Sequence, residues 1–90
     1  MSKGQNSLYS EPATAHQSIT ALPTTFANER PKGIYVGTGG DVVATLSNFD
    51  ITVNTLQSLT YKNVPSGTIL PIKPLSIDAG TTATDLIALY

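Results

Sequence analysis

The sequence predicts an all-β fold: a small antiparallel β-sandwich or barrel of about six or seven strands, carrying an extended N-terminal arm. Three observations predict it. From residue 33 onward, apolar and polar side chains alternate at the two-residue period of a half-buried strand. The apolar runs are short, rich in Ile, Val, Leu and Thr, and separated by turn signals that contain Gly or Pro. Residues 1–32 show neither pattern, so the chain divides into an arm over 1–32 and a β domain over 33–90.

Length and composition narrow the function classes. With 90 residues the chain is one domain, and a fold of this size buries only about 60–65% of the surface its unfolded chain exposes. Cysteine is absent, so neither a disulfide framework nor a Cys-based zinc site can supplement the core. Association with copies or a partner is the remaining remedy. Charged residues make up 12% and the net charge is −1, without the clustered basic face that nucleic-acid binding by counterion release requires. The N-terminus lacks an apolar run, which predicts neither a signal peptide nor a membrane anchor and places synthesis in the cytoplasm of the producing cell.

The first 32 residues are rich in Ser, Thr, Ala, Gln, Asn and Pro, with the isolated hydrophobes Leu8, Tyr9, Ile19, Leu22 and Phe26. Pro12, Pro23 and Pro31 favour extended backbone, and one helical turn over residues 10–15 is allowed by Ser10 as cap. Such a composition fits a disordered tail. It equally fits an arm that places Tyr9, Ile19, Leu22 and Phe26 in pockets of a neighbouring subunit.

In the β domain, Ile34 and Val36 oppose Tyr35, and Val42, Ala44 and Leu46 oppose Val43 and Thr45. The link Thr38-Gly39-Gly40-Asp41 predicts a hairpin, since a Gly-Gly pair tolerates the positive φ angles of two-residue turns. A phosphate loop would lead into a helix, and here a strand follows. Phe49, Ile51 and Val53 alternate with polar neighbours, as do Leu59 and Tyr61, with a turn expected over residues 54–58. Val64-Pro65-Ser66-Gly67 suits a type I turn, and Asp78-Ala79-Gly80-Thr81 marks a second one. Pro71 and Pro74 cannot donate to a ladder, so the strand between the turns belongs at an edge or is interrupted. Residues 85–90 are apolar on both faces, which predicts a central or interface strand in which Ile87, Leu89 and Tyr90 are covered.

Chemistry-bearing residues are few. His16 is the sole histidine and lies in the arm, far from any strand-borne Ser or Asp, which argues against a Ser-His-Asp triad and against an enzyme. Asp41, Asp50, Asp78 and Asp85 fall beside turns or on outer faces, where Asp commonly caps backbone amides. Asp78 and Asp85 flank a Gly-Thr-Thr loop, but the dense carboxylate spacing of calcium loops is missing, so no metal and no cofactor is expected. Tyr9, Tyr35, Tyr61 and Tyr90 raise sugar stacking, although aromatic side chains more often pack cores and interfaces.

Three strings taken in order, GIYVGTGGDVV at residues 33–43, KNVPSGTILPI at 62–72 and GTTATDLIALY at 80–90, resemble the head-spike base proteins of tailed phages and gene transfer agents. The likeness spans residues 32–90, with an insertion at 48–57 and Lys73-Pro74 where the family runs a basic, aliphatic strand. It implies a virion structural protein on the outer capsid surface, assembled as a symmetric ring, a pentamer at the capsid vertices. It also implies contact with the major capsid protein and support of a head fibre or spike. A capsid decoration protein at other symmetry positions and a carbohydrate-binding or adhesin module are the alternatives. The adhesin would show an exposed aromatic platform on a monomer.

Overall fold

A computed structural model describes residues 12–47 and 55–90. Among them eight strands form and no helix: β1 (His16–Ile19), β2 (Thr24–Thr25), β3 (Gly33–Thr38), β4 (Gly40–Ser47), β5 (Leu56–Val64), β6 (Thr68–Leu70), β7 (Ser76–Ile77) and β8 (Thr84–Leu89). They make two four-stranded sheets, ordered β1-β8-β3-β6 and β2-β7-β4-β5, with every neighbouring pair antiparallel. This is the expected antiparallel sandwich.

Alternation decides what lies between the sheets. Ile34 and Val36 of β3 are paired with Ala88 and Leu86 of β8, and all four are buried. From the other sheet, Val42 and Ala44 of β4 and Ile77 of β7 are fully enclosed, with Phe26, Val64 and Ala83 completing the core. β8 is central, flanked by β1 and β3, as its two apolar faces predicted. Leu86 and Ala88 point inward, while Ile87 and Leu89 are half-buried on the outer face and Tyr90 packs against the core. β6 is an edge strand that stops at Leu70, immediately before Pro71, as a residue without a donor requires.

The structure departs from the sequence expectation at four places. Residues 33–46 do not form a hairpin: β3 and β4 lie in different sheets, and the chain passes between them at Gly39. A Cβ on Gly39 would sit 2.5 Å from the Val64 carbonyl oxygen, so glycine is demanded here by close backbone approach rather than by hairpin geometry. The 65–67 turn also crosses between sheets, with Gly67 at φ 82°. The true hairpin joins β4 and β5. There Ser47 pairs with Leu56 and Thr45 with Ser58, so residues 56–58 are strand rather than turn. The strand expected over residues 49–53 lies outside the described residues.

The third and fourth departures concern the arm. Residues 12–15 form no helix; the Thr14 N–H donates to the Tyr90 carbonyl at 2.7 Å, and the Tyr90 N–H returns a bond to the Ala15 carbonyl at 2.7 Å. Residues 16–19 then pair with 86–89 as the edge of one sheet, and residues 24–25 pair with 76–77 as the edge of the other. Phe26 is only 9% exposed in the chain's own core, where it cannot fill a neighbour's pocket. Described residues within the supposed arm are thus sandwich edge. The pattern hid this because an edge strand needs backbone partners, not an apolar face, and most of the β1 side chains are exposed.

Candidate functional site

The three strings that carry the resemblance are distant in sequence, and residues 38–41, 63–66 and 82–85 within them meet at one end of the sandwich. The Gly39 N–H donates to Ser66 Oγ at 2.8 Å, which ties the first crossing to the second. Asp41 links all three strings: its N–H donates to Thr82 Oγ1 at 2.9 Å, its carbonyl accepts from the Thr82 N–H at 2.9 Å, and its Oδ1 accepts from the Asn63 N–H at 3.0 Å. Thr38 Oγ1 donates to Asp85 Oδ2 at 2.8 Å. Asn63 and Asp85 both hold φ 57°, a left-handed conformation in which Asn and Asp are tolerated best among non-glycine residues. Thr38, Asn63, Pro65, Ser66, Thr82 and Asp85 are all exposed, so this end presents a mainly polar surface.

A second polar cluster covers the outer face of the β2-β7-β4-β5 sheet. Ser76, Thr45 and Ser58 stand in one row across β7, β4 and β5. Asp78 gathers them, with Oδ2 accepting from Thr45 Oγ1 at 2.7 Å and Ser58 Oγ at 2.8 Å and Oδ1 accepting from Ser76 Oγ at 2.8 Å. Burial is the largest single influence on this carboxyl and raises its pKa, yet the three hydroxyl donations together hold it below the ordinary aspartate value. The loop beyond Asp78 continues the sheet with side chains: Thr81 Oγ1 accepts from the Val43 N–H at 2.9 Å. Sequence reading recognised Asp78 as a turn residue and missed its role as the tie of three strands.

Among the described residues, Asp41, Asp78 and Asp85 each accept hydrogen bonds from backbone or hydroxyl donors. His16 is exposed on β1 opposite Leu89, and no hydrogen bond among the described residues joins it to a Ser or Asp. Asp78 and Asp85 serve separate hydrogen-bond clusters, and no group of three or more His, Asp or Glu among the described residues is placed to hold a metal ion. Asp50 lies outside the described residues. No helix among the described residues is long and apolar enough to cross a membrane.

The expected interface residues separate into distinct environments. Tyr9 lies outside the described residues. Ile19 is half-buried against the core, Leu22 is 37% exposed at the turn after β1, and Phe26 is core. Ile19 lies between two open clefts of about 480 Å³ each, one reaching Phe26, Asn28, Glu29 and Tyr90, the other Leu22, Ala83 and Leu86. Tyr61 and Tyr90 pack on the core and Tyr35 sits between Ile87 and Ile69, so the described tyrosines form no common platform.

One surface feature has no sequence signal at all. Ile77, Ala44 and Leu59 share a row facing the core; the first two are fully buried, whereas Leu59 is 55% exposed. Among the described residues, nine-residue β5 ends one sheet and three-residue β6 ends the other. Leu56, on the opposite face, is 54% exposed. Among the described residues β5 thus ends its sheet, with an exposed leucine on each face. No family model, curated protein or solved structure matches this chain.

Proposed function

We propose that the chain is a virion structural protein, a head-spike base that forms a closed, five-fold ring on the outer surface of a phage capsid at its vertices. It contacts the major capsid protein on one side and carries a fibre or spike on the other. The observation that supports the reading is that one part of each resembling string, at residues 38–41, 63–66 and 82–85, joins a single exposed, hydrogen-bonded end. These parts build one hydrogen-bonded polar surface. Its role is attachment, not catalysis.

Two further features support assembly. The β5 edge, with Leu56 and Leu59 uncovered, is the kind of strand that other chains pair with unless it is covered. Homo-oligomers are usually closed and symmetric, and a head-to-tail contact closes as a ring when its rotation permits. Residues 1–11, which include Tyr9, remain for contact with a neighbour or the capsid shell.

Native mass spectrometry of the purified protein tests assembly, with a pentamer expected. A monomer alone at micromolar concentration argues against autonomous assembly, and another closed multiple overturns the five-fold order. Antibody labelling of purified virions tests location: label at the vertices is expected, and label spread over the facets assigns the chain instead to decoration at other symmetry positions.

A further inference from the structure

The two lateral sides of the sandwich differ in a way that lets one fit the other. On one side, residues of both β1 and β2 line an open cleft of about 480 Å³, in which Ile19, Phe26 and Tyr90 supply apolar surface and Thr25, Asn28 and Glu29 supply polar groups. β5 stands at the far end of the β2-β7-β4-β5 sheet, three strand spacings from β2, or about 14 Å. It carries Leu59, which shares the core-facing row of the fully buried Ala44 and Ile77 and is nevertheless 55% exposed among the described residues.

Within one chain the leucine and the cleft are held apart by the width of the sheet, so neither can satisfy the other. A second copy placed head to tail brings them together. Charge complementarity favours that pairing: Lys62 is the one charged side chain of β5, and Glu29 is the one charged side chain lining the cleft. The cleft also has the make-up of an interface core, with aromatic side chains beside polar groups that can form a rim. A two-fold contact of β5 with itself would bring like charges to one interface and leave the cleft unfilled. A patch that matches a pocket elsewhere on the same molecule makes a heterologous contact, the kind that generates rings when its rotation closes.

We infer that Leu59 of one subunit enters the cleft beside Ile19, Phe26 and Tyr90 of a second copy of the chain, with Lys62 set toward Glu29 at the rim. Each subunit then gives its β5 side to one neighbour and its β1/β2 side to the other. The inference rests on the assembly reading for the fact of association; it adds which two surfaces meet and holds for any ring order.

The absence of native cysteine allows a direct test in the full chain. Leu59→Cys is combined with Asn28→Cys, or with Thr25→Cys as an independent cleft position, and treated with a short bismaleimide. Leu59→Cys with Ala79→Cys, a turn position outside the cleft, is the reference; all four side chains are exposed, so native melting is expected of every variant. Both cleft pairs should give a covalent ladder extending above dimer mass at least five-fold faster than the reference, while Leu59→Cys alone stays at monomer mass. Equal rates for all three pairs overturn the contact. So does dimer formation by Leu59→Cys alone at the rate of the pairs, which assigns the interface to β5 meeting β5, and so does a cross-link of the pairs at monomer mass. A ladder that closes at a number other than five upholds the contact and overturns the five-fold order alone, so its last rung separates failure of the ring from failure of this interface.

Discussion

The two outer faces of the sandwich start from the same strand alternation and end differently. On the β2-β7-β4-β5 sheet, the row Ser76, Thr45 and Ser58 is closed by the Asp78 carboxylate, so its polar groups find partners within the chain. On the β1-β8-β3-β6 sheet the corresponding positions are Ile87, Tyr35 and Ile69, whose aliphatic and aromatic surface gains by being covered. One face is complete within the fold, and the other gains from a cover. Surfaces on a single small domain can therefore divide the work, one stabilising the sandwich and the other available for contact.

The largest test removes the spine of the apolar sheet. Deleting residues 87–90 takes half of β8 and, with it, the pairing partners of both β1 and β3. Losing the ladder hydrogen bonds to both neighbours together with the buried Ala88 and the half-buried Ile87, Leu89 and Tyr90 is expected to cost several kcal/mol, comparable to the whole stability of a domain this small. No cooperative melting transition is expected. A truncated protein that melts within a few degrees of the full chain would show β8 to be peripheral.

Next in size is the segment first read as an arm. Phe26→Ala opens a cavity in the core and is expected to cost about 3–5 kcal/mol in denaturant unfolding. Deleting residues 2–30 removes β1, β2 and Phe26 together and is expected to unfold the domain, whereas deleting 2–11 leaves the circular dichroism spectrum native. If both deletions stay folded, the β1 and β2 pairings contribute nothing and the arm boundary at residue 32 stands.

Legibility followed the same division between local and distant causes. Pro71 stops β6 through its own missing donor, and the 78–81 turn closes with the Thr81 N–H on the Asp78 carbonyl at 3.2 Å, so neighbouring residues were enough to predict both. The two faces of β8 were legible because a strand buried among neighbours writes apolar residues at every position. Gly39-Gly40 looks locally the same in a hairpin and in a crossing between sheets, and only the distant Val64 to Ser66 backbone decides between them. Asp78 binds Thr45 and Ser58 from 33 and 20 residues away, a distance at which single-sequence patterns carry no signal. The edge strand β1 exposes His16, Gln17 and Ser18 and so reads as tail.

Asp78 sets the polar side of the comparison. Replacing it with Ala removes three charge-assisted hydrogen bonds at a partly exposed site and is expected to cost about 1–3 kcal/mol. Its pKa is lower folded than unfolded, so its contribution is fully present above the ordinary aspartate value of 3.8 and is lost as pH falls through the lower folded value. Melting temperatures of wild type and Asp78→Asn should therefore converge below about pH 4. A constant difference between them from pH 7 to pH 3 would mean that the carboxylate's charge has no part in holding the three hydroxyls.

The smallest effect on stability falls at Leu59 and sharpens the comparison most, because this side chain faces the core side of its sheet and yet lies open. Its row partners Ile77 and Ala44 are fully buried, whereas Leu59, on the strand that ends the sheet, is 55% exposed among the described residues. Leu59→Lys keeps the long aliphatic stem while placing its charge in water, so unfolding free energy should change by no more than about 0.5 kcal/mol. Association should respond far more strongly, since pairing along β5 would bury that ammonium beside the apolar edge. Sedimentation velocity at matched concentrations checks this, with the assembled species expected to fall at least ten-fold in population while the melting curve is retained. An assembly that survives Leu59→Lys intact would place the subunit contact away from β5, and loss of the melting transition would show that Leu59 is part of the core despite its exposure.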